Sequence, residues 1–220
     1  MKRSSIAVTG LLFSALLGGC ASDTTQPDEY SGFLSDYSHL QPAVSATGQP
    51  VMRWTAPGFK LDDYPYLQAR SISFYPAPQP TEQISSATLD ELQTYARQKI
   101  KSALSRRFQL LDPDGQPRPK TLILRSAITA VGTKAEGFKP YEVIPIALVV
   151  AATTSASGAR DRETELFIEA ELIDAATGQT MLQVARKGYG QELENSEEQV
   201  TLDTLKEVID SIVRDIERFE

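Results

Sequence analysis

Between Glu163 and Asp174 the sequence alternates, with Leu166, Ile168, Ala170 and Leu172 on one side and Glu165, Phe167, Glu169 and Glu171 on the other. Side chains alternate across a strand, so this pattern defines a β-strand with one face for a core and the other for water. Ala176-Thr177-Gly178 follows and fits a three-residue hairpin loop, whose last residue must be left-handed and therefore favours glycine. Pairing Ala175 with Gln179 places Leu172 opposite Leu182 and Ala170 opposite Val184. The apolar faces of the two strands then coincide. Whatever else the chain does, it must cover one side of an antiparallel hairpin.

The rest of the sequence offers suitable covers. Ala69 to Tyr75 alternates and is stopped by Pro76, Pro78 and Pro80, so a strand is expected there. Thr88-Leu89-Asp90-Glu91 has the form of a capping box. Behind it Leu92, Ala96, Ile100, Ala103, Leu104 and Phe108 recur at helical spacing, which predicts a helix over 88–109. Leu122 to Val131 is mostly apolar or β-branched, with Arg125 its one charge, and reads as another strand. A last helix is expected from near Ser196, carrying the stripe Leu205, Val208, Ile209, Ile212, Val213 and Ile216. The segment Tyr30 to Leu67 is dense in aromatics and broken by Pro42, Pro50, Pro57 and Pro65, the composition of irregular chain pinned onto a neighbouring layer. The order β-α-β-β-β-α predicts an α+β two-layer sandwich: a mixed or antiparallel sheet, two amphipathic helices on one face, and an aromatic-rich N-terminal wrap. At 220 residues this is one domain.

The N-terminus is of a different kind. Lys2 and Arg3 precede twelve uncharged residues, Ile6 to Leu17, then Gly18, Gly19 and Cys20. A run of that length reaches only roughly 18 Å as a helix, too short for a bilayer core, and reads as an export signal. Leu17-Gly18-Gly19-Cys20 resembles the bacterial lipobox, whose cysteine becomes the acylated first residue of the mature protein. The chain's only cysteine falls on it. The expected organisation is a signal peptide over 1–19, a lipidated tether over 20–29 and a single periplasmic domain over 30–220. Acyl chains such as palmitate on Cys20 would hold the protein to the membrane. In lipoproteins of this kind an aspartate after the cysteine retains the protein in the inner membrane; Ala21 stands here, so the outer membrane is expected. Loss of Lys2 and Arg3 takes the formal charge from −7 to −9. That balance, with the compartment, argues against a nucleic-acid partner.

Tyr30-Ser31-Gly32-Phe33-Leu34-Ser35-Asp36-Tyr37-Ser38-His39-Leu40, together with Glu171-Leu172-Ile173-Asp174-Ala175-Ala176-Thr177-Gly178, resembles a family of proteobacterial lipoproteins catalogued as domain of unknown function 3313. The second motif is also similar to other periplasmic lipoproteins, including the curli secretion pore and penicillin-binding-protein activators. The family has no assigned activity. The resemblance implies an envelope location and binding or assembly work, and transfers no catalytic residue.

Chemistry-bearing residues are sparse. One Cys and one His provide neither an internal disulfide nor a zinc site of the usual composition, so no metal and no cofactor are expected. His39 has Ser35 and Asp36 nearby, but residues so close in sequence rarely meet in triad geometry, and it reads as a packing or surface residue. Glu165, Glu169 and Glu171 share one strand face, a spacing that serves glycosidases. It is also what a solvated sheet face looks like, with Lys187 on the next strand as an ion-pair partner. Arg97, Lys99, Lys101, Arg106 and Arg107 form a basic cluster, read as a solvated helix face or a surface for lipid phosphates or an acidic partner. Residues 143–154 are apolar without periodicity, and form either a buried insert or an exposed patch in which Ile146, Leu148 and Val149 contact a membrane, another copy or a partner. The expected function is a non-enzymatic outer-membrane lipoprotein that binds or assembles. The alternatives are an oligomeric pore or secretion accessory using residues 143–154, or a glycan-acting enzyme using the strand carboxylates.

Overall fold

The computed structural model describes residues 24–135, 162–194 and 198–219. The signal peptide, Cys20, the 143–154 segment with Ile146, Leu148 and Val149, and the helix start read at Ser196 lie outside the described residues.

The described chain is α+β, with one sheet of eight strands and two helices. Three long strands form its centre: β6 (Thr121–Ala135), β7 (Arg162–Asp174) and β8 (Thr180–Leu193), each antiparallel to the next. On the far side of β8 lie β2 (Pro50–Thr55) and then β1 (Gln41–Val44), also antiparallel. On the far side of β6 the sheet changes character. Both β3 (Tyr66–Ala69) and β4 (Ser73–Phe74) run parallel to β6, and β5 (Gln109–Leu111) runs parallel to β3. Parallel neighbours need a long crossover, which helix α1 (Ser86–Ser105) supplies between β4 and β5. The sheet is therefore mixed. The sequence order β-α-β-β-β-α is corrected in two respects: β1, β2 and β5 are added, and the strand expected over Ala69 to Tyr75 divides into β3 and β4.

The hairpin keeps the register that its apolar faces demand, with Leu172 opposite Leu182 and Ala170 opposite Val184. Nearer the turn a bulge after Leu172 shifts the pairing. Ile173 meets Thr180 and the Asp174 amide donates to the Gln179 carbonyl at 2.9 Å, so the expected Ala175 to Gln179 pairing moves by one residue. Gly178 has φ of 71° and its amide donates to the Asp174 carbonyl at 2.8 Å, the left-handed turn position expected of it.

Helix α1 is capped by Ser85, whose Oγ accepts from the Thr88 amide at 3.1 Å, three residues before the expected cap. It ends at Ser105, and Phe108 is buried just beyond it. Helix α2 (Leu202–Arg218) starts at a box formed by Thr201 and Thr204. Leu92, Ala96, Ile100 and Leu104 from α1, and Leu205, Val208, Ile209 and Ile212 from α2, share one core with Leu166, Ile168 and Leu172 of β7 and Leu122, Leu124 and Ile128 of β6. Gly188 and Gly190 allow α2 to approach β8 closely. A Cβ on Gly188 would lie 2.3 Å from Val208 Cγ1, and one on Gly190 2.2 Å from the Thr204 carbonyl oxygen. The helices also meet each other, with Tyr95 Oη donating to Asp210 at 2.7 Å.

Candidate functional site

The acidic side of β7 is the largest departure from the sequence expectation. Glu165, Glu169 and Glu171 are 1%, 1% and 0% exposed, so the face read as wet is buried. Residues 29–37 reach it and supply donors. Glu169 accepts from the Ser31 amide at 3.0 Å, the Ser31 hydroxyl at 2.9 Å and the Tyr37 hydroxyl at 2.5 Å. Glu171 accepts from the Ser35 hydroxyl at 3.1 Å and from the Gln183 amide, and pairs with the Arg125 guanidinium. Arg125 and Gln183 stand on the strands to either side, directly opposite Glu171 in register. Carboxylates out of water persist only when their oxygens are satisfied: Glu169 by three neutral donors, Glu171 by hydrogen bonds and a guanidinium.

Lys187 was expected to answer the strand glutamates. It pairs instead with Glu29, Nζ to Oε1 at 3.0 Å, and both side chains are 2% exposed. The register explains the change: Lys187 faces Phe167, not a glutamate, and its ammonium lies 5.6 Å from that ring and 5.9 Å from the Tyr189 ring. Glu29 ends a short 3-10 turn, Pro27–Glu29, and also accepts from the Gln26 amide at 2.6 Å. The end of the stretch read as tether is thus fixed to the sheet.

Aromatic contacts complete the site. Tyr30 stacks on Tyr37 at 4.4 Å between ring centroids, Phe33 lies under the Arg125 guanidinium at 5.1 Å, and Tyr30, Phe33, Tyr37 and Trp54 pack on a small cluster of Leu34, Leu40, Met52 and Ala185. Burial, reinforced by the bond to Glu169, pushes the Tyr37 hydroxyl up to about 12, and burial with the charges of Glu169 and Glu29 raises Tyr30. Both hydroxyls therefore stay protonated at neutral pH, and that of Tyr37 serves as a donor.

The other candidates do not join this site. His39 is exposed and lies 3.6 Å from Asp36 Oδ2 and 5.7 Å from the Trp54 ring; the hydroxyl of the neighbouring Ser35 goes to Glu171. The basic cluster divides. Lys99 pairs with Asp210 at 3.8 Å, Arg106 with Glu217 and Arg107 with Asp62, each at 2.6 Å, whereas Arg97 and Lys101 border a cleft. Among the described residues no group of three His, Cys, Asp or Glu side chains is placed to hold a metal ion, and no helix is long and apolar enough to cross a membrane. Sequence reasoning missed Ser31, Ser35, Tyr37 and Arg125 as partners of the buried acids, and Glu29 as the partner of Lys187. One signal was available, since Arg125 is the lone charge of an apolar strand and needs an anion beside it.

A mixed α+β sheet with a polar site built between its longest hairpin and an N-terminal segment defines the class. The chain belongs to the family described as protein of unknown function (DUF3313), matched over residues 29–216, a span that begins at the glutamate holding Lys187. It is 42% identical over 221 residues to a protein of Escherichia coli (strain K12) called uncharacterized lipoprotein YdcL, covering 100% of this chain and 98% of that one, and equally to its counterpart in Escherichia coli O157:H7. Among solved structures the PelC dodecamer from Paraburkholderia phytofirmans is similar at 12% identity and a TM-score of 0.40, over 75% of this chain and 96% of that one.

Proposed function

We propose that this is a non-enzymatic lipoprotein of the outer membrane, acylated on Cys20, whose domain faces the periplasm and binds or assembles with an envelope partner. The lipobox-like run ending in Cys20 and the name carried by the Escherichia coli relative support the anchor. The observation that carries the rest is the state of the β7 carboxylates. Glu169 and Glu171, the groups best suited to acid–base chemistry, are buried and occupied as acceptors for residues 31–37. A glycosidase pair must instead flank a bond that substrate can bring to it. These acids attach the segment nearest the anchor to the sheet.

That attachment limits the reach of the domain. Gln26 is held by Glu29 and lies six positions after Cys20, a stretch that spans about 20 Å at most when fully extended. The domain would work close to the bilayer surface.

Palmitate labelling and density fractionation of envelopes test the anchor. Labelled protein is expected in the outer-membrane fraction, with label lost in Cys20→Ala; label that survives this change, or recovery in the inner membrane, overturns the corresponding part. Purified protein is expected to leave peptidoglycan glycan intact. Hydrolysis that disappears in Glu169→Gln would reinstate an enzyme.

A further inference from the structure

A cleft of about 460 Å³ opens where the chain steps from β3 to β4. Its origin is a mismatch in register. Ala69 pairs with Leu124 and Ser73 with Ala127, so Arg70, Ser71 and Ile72 stand opposite only Arg125 and Ser126. An extra residue on one strand bends it and re-aims its side chains. Helix α1 passes over the gap, tied down by Gln93 Nε2, which donates to the Ile72 carbonyl at 3.0 Å.

The floor is apolar, lined by Ile72, Ile100, Leu104 and Leu124, all buried. Ser126 interrupts it. This residue is 8% exposed, and its buried hydroxyl has no hydrogen-bond partner among the described residues. Folded proteins rarely leave a buried hydroxyl in that condition, because it loses water without gaining a replacement.

The rim is cationic. Arg70, Arg97 and Lys101 are exposed there and make no ion pair among the described residues, unlike Lys99, Arg106 and Arg107 nearby. The one carboxylate of the lining is Asp112, whose Oδ1 is engaged by the Asp114 amide at 3.0 Å. Three cations against one anion is a local reversal in a chain of net charge −7.

We infer that this cleft binds a small anionic amphiphile. Its carboxylate meets the rim cations, its apolar body lies on the floor, and a second polar group along that body engages Ser126. An inorganic anion would satisfy the rim and leave the floor wet, and a neutral hydrocarbon would do the reverse. The volume falls within the roughly 300–1,000 Å³ usual for ligand pockets. At about 30 Å³ per water-sized group it admits on the order of ten to fifteen non-hydrogen atoms, the size of a decanoate. The inference rests on the reading of the domain as a binding module and names what one of its sites takes.

The test uses the full lipidated chain in nanodiscs of phosphatidylcholine, titrated with carbon-13 carboxyl-labelled decanoate and ω-hydroxydecanoate, with empty discs subtracted. Saturable binding is expected, with the hydroxy acid roughly tenfold tighter, the scale of one buried hydrogen bond. Arg97→Glu with Lys101→Glu, both at exposed positions, should abolish binding of both acids while the circular dichroism spectrum is unchanged. Ser126→Ala should erase only the preference for the hydroxy acid. Uptake no greater than that of empty discs, or binding that ignores the charge reversal, overturns the inference. Capture by phosphatidylglycerol vesicles without binding of the free acids assigns the cations to a bilayer surface and overturns it as well. Palmitate labelling and partner crosslinking read the anchored binding module separately, so either idea can fail alone.

Discussion

The two sides of β7 are buried by different means. Leu166, Ile168 and Leu172 join an apolar core with α1 and α2, where shape decides the fit: Gly188 leaves no room for even one added carbon beneath Val208. Glu169 and Glu171 lie one residue out of phase with them and are held by hydroxyls, an amide and a guanidinium. The first side tolerates any apolar side chain of the right volume and rejects extra volume. The second accepts only the right donors, because an orphaned charge there has no water to fall back on. One strand thus couples a side specified by volume to a side specified by pairing.

The largest test of this contrast is Lys187→Met. It leaves the Glu29 carboxylate buried without its cation, and should cost about 3–5 kcal/mol in chemical denaturation. Adding Glu29→Gln should recover much of that loss; a cost under about 1 kcal/mol for the single change would mean that the pair is wet. On the other side, Gly188→Ala should cost about 1–3 kcal/mol through displacement of α2. Hydrogen exchange should then rise in α2 and stay low for residues 29–37. Tyr37→Phe removes one of three donors to Glu169 and should cost about 1–2 kcal/mol, since the two donors of Ser31 remain. The smallest effect, about 1 kcal/mol, is expected of Ser85→Ala at the start of α1, read as a lower thermal midpoint.

Tyr37 also predicts a pH dependence. Its hydroxyl is raised from 10.0 to about 12, so it contributes stability that is complete below pH 10 and lost as pH climbs toward 12. Tyr64, bonded to Asp174, and Tyr95, partly buried and bonded to Asp210, reach about 12 as well and add to the same alkaline loss. Tyr37→Phe should flatten the loss without removing it. Asp174 acts in the opposite sense. The Tyr64 hydroxyl and the amides of Thr177 and Ala176 hold its carboxyl below the ordinary 3.8, so its contribution is present above that pH and disappears as acid brings it through its lowered value. Denaturation midpoints across pH 2–12 check both arms.

Alternation made the central hairpin legible because a slip of one residue would have turned Leu172 and Leu182 away from the core. Helical spacing revealed the buried stripes of both helices for the same reason. The caps were less legible: Thr88, which opens the capping-box pattern, lies inside the helix, and Ser85 is the cap. Short strands such as β1 and β5 carry no period long enough to read. The acidic side of β7 was misread because alternation distinguishes two faces without saying what lies over the second. Its cover comes from more than 130 residues away in sequence, where Ser31, Ser35 and Tyr37 look like loop polarity until their acceptors are known. The cleft at Ser126 left no sequence signal, since it arises from one residue's difference in length between paired strands.

The attachments of residues 29–37 also have a mechanical order. Among these attachments, a pull on the chain from its N-terminal side reaches Glu29 and Lys187 first, then Ser31 on Glu169, then Ser35 on Glu171, and then Tyr37, which returns to Glu169. Load arrives at these contacts one after another instead of together, so they peel instead of shearing. Of the contacts of residues 29–37, the ion pair shielded by Phe167 and Tyr189 is loaded before the rest.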